Sequence, residues 1–196
     1  MTDVTRPLRA DARRNYERLL IEARAAFEID GVNTSLERIA RAAGVGIGTL
    51  YRHFPTREAL MEAVLREHFA RLTERADELC LMEGRKSRAA LTSWLREFTA
   101  ASAAVRGLSA AVATALREER SDLRAACDRM NAAIARLLAH AQNHNGVRRD
   151  TDHGDLLAIA YAIAWVTEQR PADAGLADRL VALVVDGLDV VHETPG

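Results

Sequence analysis

The sequence predicts an all-α fold of about nine helices in two domains, and three observations carry that expectation. Apolar residues recur at three- and four-residue spacing through most of the chain, and no stretch alternates apolar with polar residues as a half-buried strand does. Thr34 to Arg57 reads as two short helices joined by a tight turn, a helix-turn-helix. No Pro/Gly-rich linker, internal repeat or low-complexity segment breaks the pattern, so a three-helix domain at 1–57 passes directly into a helical domain at 58–196. At 196 residues, 48% of them hydrophobic, the chain can bury a real core.

Residues 1–10 carry Arg6 and Arg9 without an apolar period and read as an arm, either solvated or tracking phosphates. Asp11 can cap a helix to about Ile29, with Tyr16, Leu19, Leu20, Ala23, Ala26 and Phe27 on one face, Gly31 closing it and Val32 folding back on Phe27. For the next helix Thr34 and Glu37 form a capping box, with Ser35 a competing cap. Leu36, Ile39, Ala40 and Ala43 make its apolar stripe, Gly44 supplies the left-handed residue that stops it, and Val45 can return to Ala40. Ala40 sits where two helices must cross closely. In the second short helix Leu50 and Phe54 share the inward face and Pro55 ends the run. Its other face offers Ile47, Gly48, Thr49, Tyr51, Arg52 and His53, with no large apolar stripe, and is free to enter a groove.

Thr56 can cap a long helix bearing Leu60, Met61, Val64, Leu65, His68, Phe69, Leu72 and Leu79, which breaks near 83–85 and serves both domains. Beyond it the periodicity gives a helix from Ser87 to about Val105, a small-residue helix with Leu108, Val112 and Leu116, and a longer one from Ser121 to His144. Thr151 or Asp152 caps a helix to about Gln169, Pro171 breaks it, and a last helix runs from Asp173 to near Glu193. These last two are apolar over more than half their circumference, which implies a second burial partner. The natural partner is the same pair from a second subunit, through Leu156, Ala160, Ile163, Leu180, Val184 and Leu188.

The run A-G-V-G-I-G-T-L-Y-R-H-F-P-T-R-E-A-L resembles the helix-turn-helix of the TetR (TetR/AcrR) family of one-component bacterial transcriptional regulators. The local match covers roughly residues 11–65, with G-T-L-Y-x-H-F its specific core; the remainder agrees in length and helical pattern. The resemblance implies a homodimer whose N-terminal domains read a palindromic operator in double-stranded DNA and whose C-terminal domains dimerise and hold a small-molecule inducer, most often as a repressor. It places Thr49, Tyr51 and His53 against the DNA backbone, with Tyr51 also able to reach a base edge, Ile47 and Gly48 toward the bases, and Arg57 at the basic residue opening the next helix; Thr34, Ser35, Gly46 and Arg52 complete the DNA-facing set. The family often has a hydroxyl residue at position 46 and a polar one at 47. Gly46 and Ile47 depart from this, and Ile47 can only pack on a thymine methyl or a sugar.

Charge agrees with a nucleic-acid partner. Residues 1–57 hold ten arginines against seven acids (+3), while the rest holds 17 basic and 21 acidic residues (−4). No run of about 18 apolar residues is present to span a bilayer, and residues 1–11 lack the apolar core of a signal peptide, so a cytoplasmic protein with no membrane partner is expected. Cys80 and Cys127, without CxxC spacing, read as reduced thiols.

Trp94, Phe98, Met130, Tyr161 and Trp165 lie on three helices able to surround an apolar ligand, though each also fits an ordinary core. His140 and His144 are spaced to share a metal, with His153 and Asp150 nearby. Histidine is also favoured at a helix C-terminus for the dipole, so no metal and no cofactor is assigned. An enzyme is not expected: there is no nucleophile elbow, phosphate loop or H-E-x-x-H. A regulator answering to a protein partner, or to no ligand, is the remaining alternative.

Overall fold

A computed structural model describes residues 5–31, 33–82, 86–104, 121–170 and 172–188. Among them are eight α-helices and no strand: α1 Thr5–Asp30, α2 Leu36–Ala42, α3 Ile47–His53, α4 Arg57–Cys80, α5 Ser87–Ala104, α6 Asp122–Asn143, α7 His153–Gln169 and α8 Leu176–Asp186. The expected helix around Leu108 to Leu116, the packing of Val32 and the break at Pro171 lie outside the described residues. The chain divides into two compact units, Met1–Glu67 with Ala104–Leu123, and His68–Ala103 with Arg124–Gly196. The division falls inside α4. None of the described helices is long and apolar enough to cross a membrane.

Helix α1 starts earlier than expected, at Thr5 inside the presumed arm 1–10. An apolar period reports burial, not helicity. Pro7 falls in the first turn, where its missing N–H costs nothing, and Leu8, Arg9 and Ala10 favour helix. Leu19, Leu20, Ala23 and Phe27 of α1 are buried with Leu36, Ile39, Ala40, Ala43, Leu50, Phe54 and Leu60, giving the first unit its core. Gly31, with φ 74°, closes α1 by donating its N–H to the Phe27 carbonyl at 2.9 Å.

The cap of α2 is Ser35, not Thr34: the Ser35 hydroxyl accepts from the Arg38 amide at 3.3 Å and donates to Glu37 at 2.6 Å. That hydroxyl, ahead of the Glu37 backbone amide and the Arg57 charge, holds the Glu37 carboxyl below the ordinary carboxylate range. The far end of α2 is a Schellman arrangement. The Val45 N–H reaches the Ala40 carbonyl at 2.9 Å and the Gly44 N–H reaches that of Arg41 at 3.1 Å, with Gly44 at φ 67°. This turn aims α3 away from α2. At its other end Phe54, extended at φ −133° before Pro55, stops α3, and Thr56 caps α4 by accepting from the Ala59 amide at 3.1 Å.

In the second unit Trp94 is fully buried and donates its indole N–H to the Leu72 carbonyl at 2.9 Å, pinning α5 to α4. Arg136 pairs with Asp77 at 2.6 Å between α6 and α4. Asp152 caps α7 by accepting from Gly154 at 2.7 Å, and the Gln142 amide ties down the carbonyls of Arg148, Arg149 and Thr151. Helix α8 is shorter than expected: Gly175 precedes it and Gly187 ends it after Asp186, while residues 189–196 lie outside the description. Glycine is the poorest helix former after proline, and a long apolar period hid that stop.

Gly44→Ala places a Cβ in the left-handed region and should lower unfolding stability by about 1–2 kcal/mol. Chemical denaturation of the two proteins measures this, and equal midpoints would show that the turn adopts another conformation.

Candidate nucleic-acid interface

The helix-turn-helix presents one side of α3 to solvent because the other side is committed. Leu50 and Phe54 are buried, and Tyr16 of α1 packs on Phe54 with ring centroids 5.1 Å apart. On the outer side Ile47 and Tyr51 are exposed, Arg52 is exposed, and Thr49 and His53 are half-buried. A Cβ added at Gly46 or Gly48 would meet no atom within 4 Å, so both lie open. Arg52 folds back along its own helix, donating to the Gly48 carbonyl at 3.3 Å and the Thr49 hydroxyl at 3.2 Å. The His53 ring meets Tyr16 edge-on at 6.0 Å, which fixes its orientation.

Three residues assigned to this surface behave differently from expectation. Thr34 is buried and its hydroxyl faces no solvent; its carbonyl instead accepts from Arg57 at 2.6 Å. Arg57 is thereby a strut between the start of α4 and the loop before α2, as well as a nearby positive charge. Ser35 is exposed, but its hydroxyl is occupied as the α2 cap. Sequence reasoning missed Tyr16 as the support of His53, and its phenol accepts from Arg66 at 3.2 Å. An aromatic on the inner stripe of α1 was the available signal.

In the second unit, Trp94, Phe98 and Met130 are each fully buried. Trp94 stacks on Phe98 at 5.3 Å, and Tyr161 covers Phe98 edge-on at 4.9 Å. Trp165 stands apart, 60% exposed, because the next turn of α7 carries it past the covered edge. An apolar crevice lies elsewhere, between Leu95, Leu156, Ile159, Ala160, Ile163, Val181 and Val184, with about 10 Å³ of free volume, roughly one water.

Of the residues assigned to a subunit contact, Leu156, Ala160, Ile163 and Leu188 are already buried in the single chain, while Leu180 and Val184 are half-buried. The large apolar side chains left bare on α7 and α8 are Ile159 at 42%, Tyr161 at 41%, Trp165, and Leu183 at 68% exposure. A face this wide has two sides, and spacing does not say which one the subunit keeps for itself.

His140 and His144 lie with ring centroids 4.5 Å apart, and each reaches a carbonyl, His140 that of Met82 at 3.2 Å and His144 that of His140 at 2.8 Å. Among the described residues no three His, Cys, Asp or Glu side chains converge. Cys80 and Cys127 are free thiols, both pushed up in pKa by burial.

Residues 19–64 match the family model described as bacterial regulatory proteins, tetR family, and residues 86–190 match that of the transcriptional regulator SbtR-like C-terminal domain. A TetR transcriptional regulator from Streptomyces coelicolor is similar over 90% of this chain and 99% of its own, with 34% identity and a TM-score of 0.73. A TetR regulatory protein from Mycobacterium vanbaalenii is similar over 94% of this chain and 100% of its own, at 33% identity and a TM-score of 0.66. An HTH-type transcriptional regulator of Staphylococcus aureus is 42% identical over 59 residues, so the match spans 30% of this chain and only 32% of that relative.

Desolvation, and secondarily Cys127, pushes the Tyr161 phenol up to about 12. A raised tyrosine pKa favours the neutral form in the folded state, so its contribution is complete below the unfolded value near 10 and is lost as pH rises through about 12. In an alkaline absorbance titration Tyr161→Phe should remove the latest-appearing phenolate signal; an unchanged curve would place that hydroxyl in water.

Proposed function

The chain belongs to the TetR family of bacterial regulatory proteins and is a transcriptional regulator; from that footing we propose that it is a cytoplasmic repressor, binding a palindromic operator as a homodimer and releasing it when a small apolar molecule occupies the second unit. The observation that carries the DNA reading is the outer side of α3. Ile47, Gly48, Tyr51 and Arg52 are exposed and Thr49 half-buried, while Leu50 and Phe54 on the inner side are buried. Such a helix enters the major groove, with Tyr51 and Thr49 positioned for the sugar-phosphate backbone and Arg57 adding charge nearby.

Dimerisation supplies the second reading head that a palindrome requires, half-sites lying about one helical turn or a multiple apart. The bare side of α7 and α8 supports it: Ile159, Trp165 and Leu183 lose water only if another surface covers them. An apolar ligand would enter where Tyr161 covers Phe98, since swinging that ring aside bares the Trp94–Phe98 stack. The complete burial of Trp94, Phe98 and Met130 favours the second reading, a regulator that answers to a protein partner without a small molecule.

Selection of bound duplexes from a random DNA pool, with the mass of the winning complex, tests the proposal. A palindrome bound by two chains is expected, whereas no enrichment at moderate salt would sink it. Tyr51→Ala should weaken binding to every sequence alike, and Ile47→Gln should change the preferred operator more than affinity for random DNA, both read by equilibrium binding. Leu183→Asp should shift the particle toward a monomer in sedimentation while keeping its helical content; an unchanged mass would place the contact elsewhere.

A further inference from the structure

We propose that Ile47 reads a thymine in each operator half-site through the base's C5-methyl group. This rests on the DNA-binding reading above and specifies what its reading helix recognises. In a helix-turn-helix the N-terminal residues of the second helix meet base edges in the major groove, and Ile47 is the first residue of α3. Its side chain is 36% exposed, and it is flanked by Gly46 and Gly48, neither of which has an atom within 4 Å of where a Cβ would stand. The exposed part of its branched alkyl group lies between two positions that carry no side chain. Without a side chain at position 48, that backbone can also close on the bases.

The polar groups nearby are turned to other uses. The Arg52 guanidinium donates to the Gly48 carbonyl at 3.3 Å and to the Thr49 hydroxyl at 3.2 Å, so both are held along the helix. Ahead of Thr49 the leading end of α3 carries no polar side chain. An alkyl group set against the donors and acceptors of guanine, adenine or cytosine strips them of water and returns no hydrogen bond. Thymine carries a methyl group in the major groove, and Ile47 gains by covering it.

The test uses the full-length protein and the operator obtained from the random pool. Each thymine is replaced in turn by deoxyuridine, which removes only the methyl, and affinity is measured by fluorescence anisotropy for the natural protein and for Ile47→Ala. One thymine per half-site should lose about fourfold affinity on demethylation, the equivalent of one buried methyl group. The same replacement should leave Ile47→Ala binding unchanged, because the partner of the methyl is gone. Uniform insensitivity to demethylation, or a loss of equal size in Ile47→Ala, would overturn the assignment while leaving operator binding intact. Failure to select any operator would instead overturn the DNA-binding reading, and this inference with it.

Discussion

Helices α2 and α3 have seven residues each, too few to persist in water by themselves. Their survival depends on burial against α1, where Leu19, Ala23 and Phe27 share a core with Leu36, Ile39, Ala40, Leu50 and Phe54. The outer side of α3 inherits its rigidity from that inner side. Tyr16 extends the same support outward, packing on Phe54 below and meeting His53 at the rim. Each exposed side chain of α3 is thus about one turn away from a buried one.

The corner between the two helices is set by backbone hydrogen bonds rather than by side chains. Gly44 accepts a left-handed conformation so that the N–H groups of Gly44 and Val45 can satisfy carbonyls at the end of α2. Ala40, whose carbonyl takes one of these bonds, is buried where a larger residue would drive the helices apart. Arg57 binds the Thr34 carbonyl across the same motif. A residue that looks like a phosphate contact therefore also holds the two ends of the motif together.

The second unit follows a different rule. Trp94 spends its indole N–H on Leu72 and its ring on Phe98, so the aromatic cluster is satisfied internally. Tyr161 covers that cluster from α7 while remaining partly exposed. The same helix turns Leu156, Ala160 and Ile163 inward and leaves Ile159 and Trp165 outside, and α8 leaves Leu183 outside in the same way. Both helices thus carry apolar residues on a buried side and on a bare one, a wider arc than folding of the chain itself uses.

Much of the first unit was legible in the sequence, because short-range physics decides it. The stripe Leu36, Ile39, Ala40 and Ala43, the stop at Gly44, the inward pair Leu50 and Phe54 and the end at Pro55 each follow from spacing within one or two turns. The choice of Ser35 over Thr34 as the cap did not, since both can accept the bond and only burial of Thr34 removes it from the competition. Nor did the early start of α1, whose first turns need no apolar period to be helical. In the second unit the sequence by itself determined that α7 and α8 are apolar over a wide arc, and that Trp94, Phe98 and Met130 are large residues with somewhere to go. Tertiary structure alone decided which part of that arc is buried, that Trp94 stacks on Phe98, and that Trp165 is left exposed. The physical reason is that periodicity fixes which side chains share a face, whereas the direction of that face depends on neighbours distant in the chain.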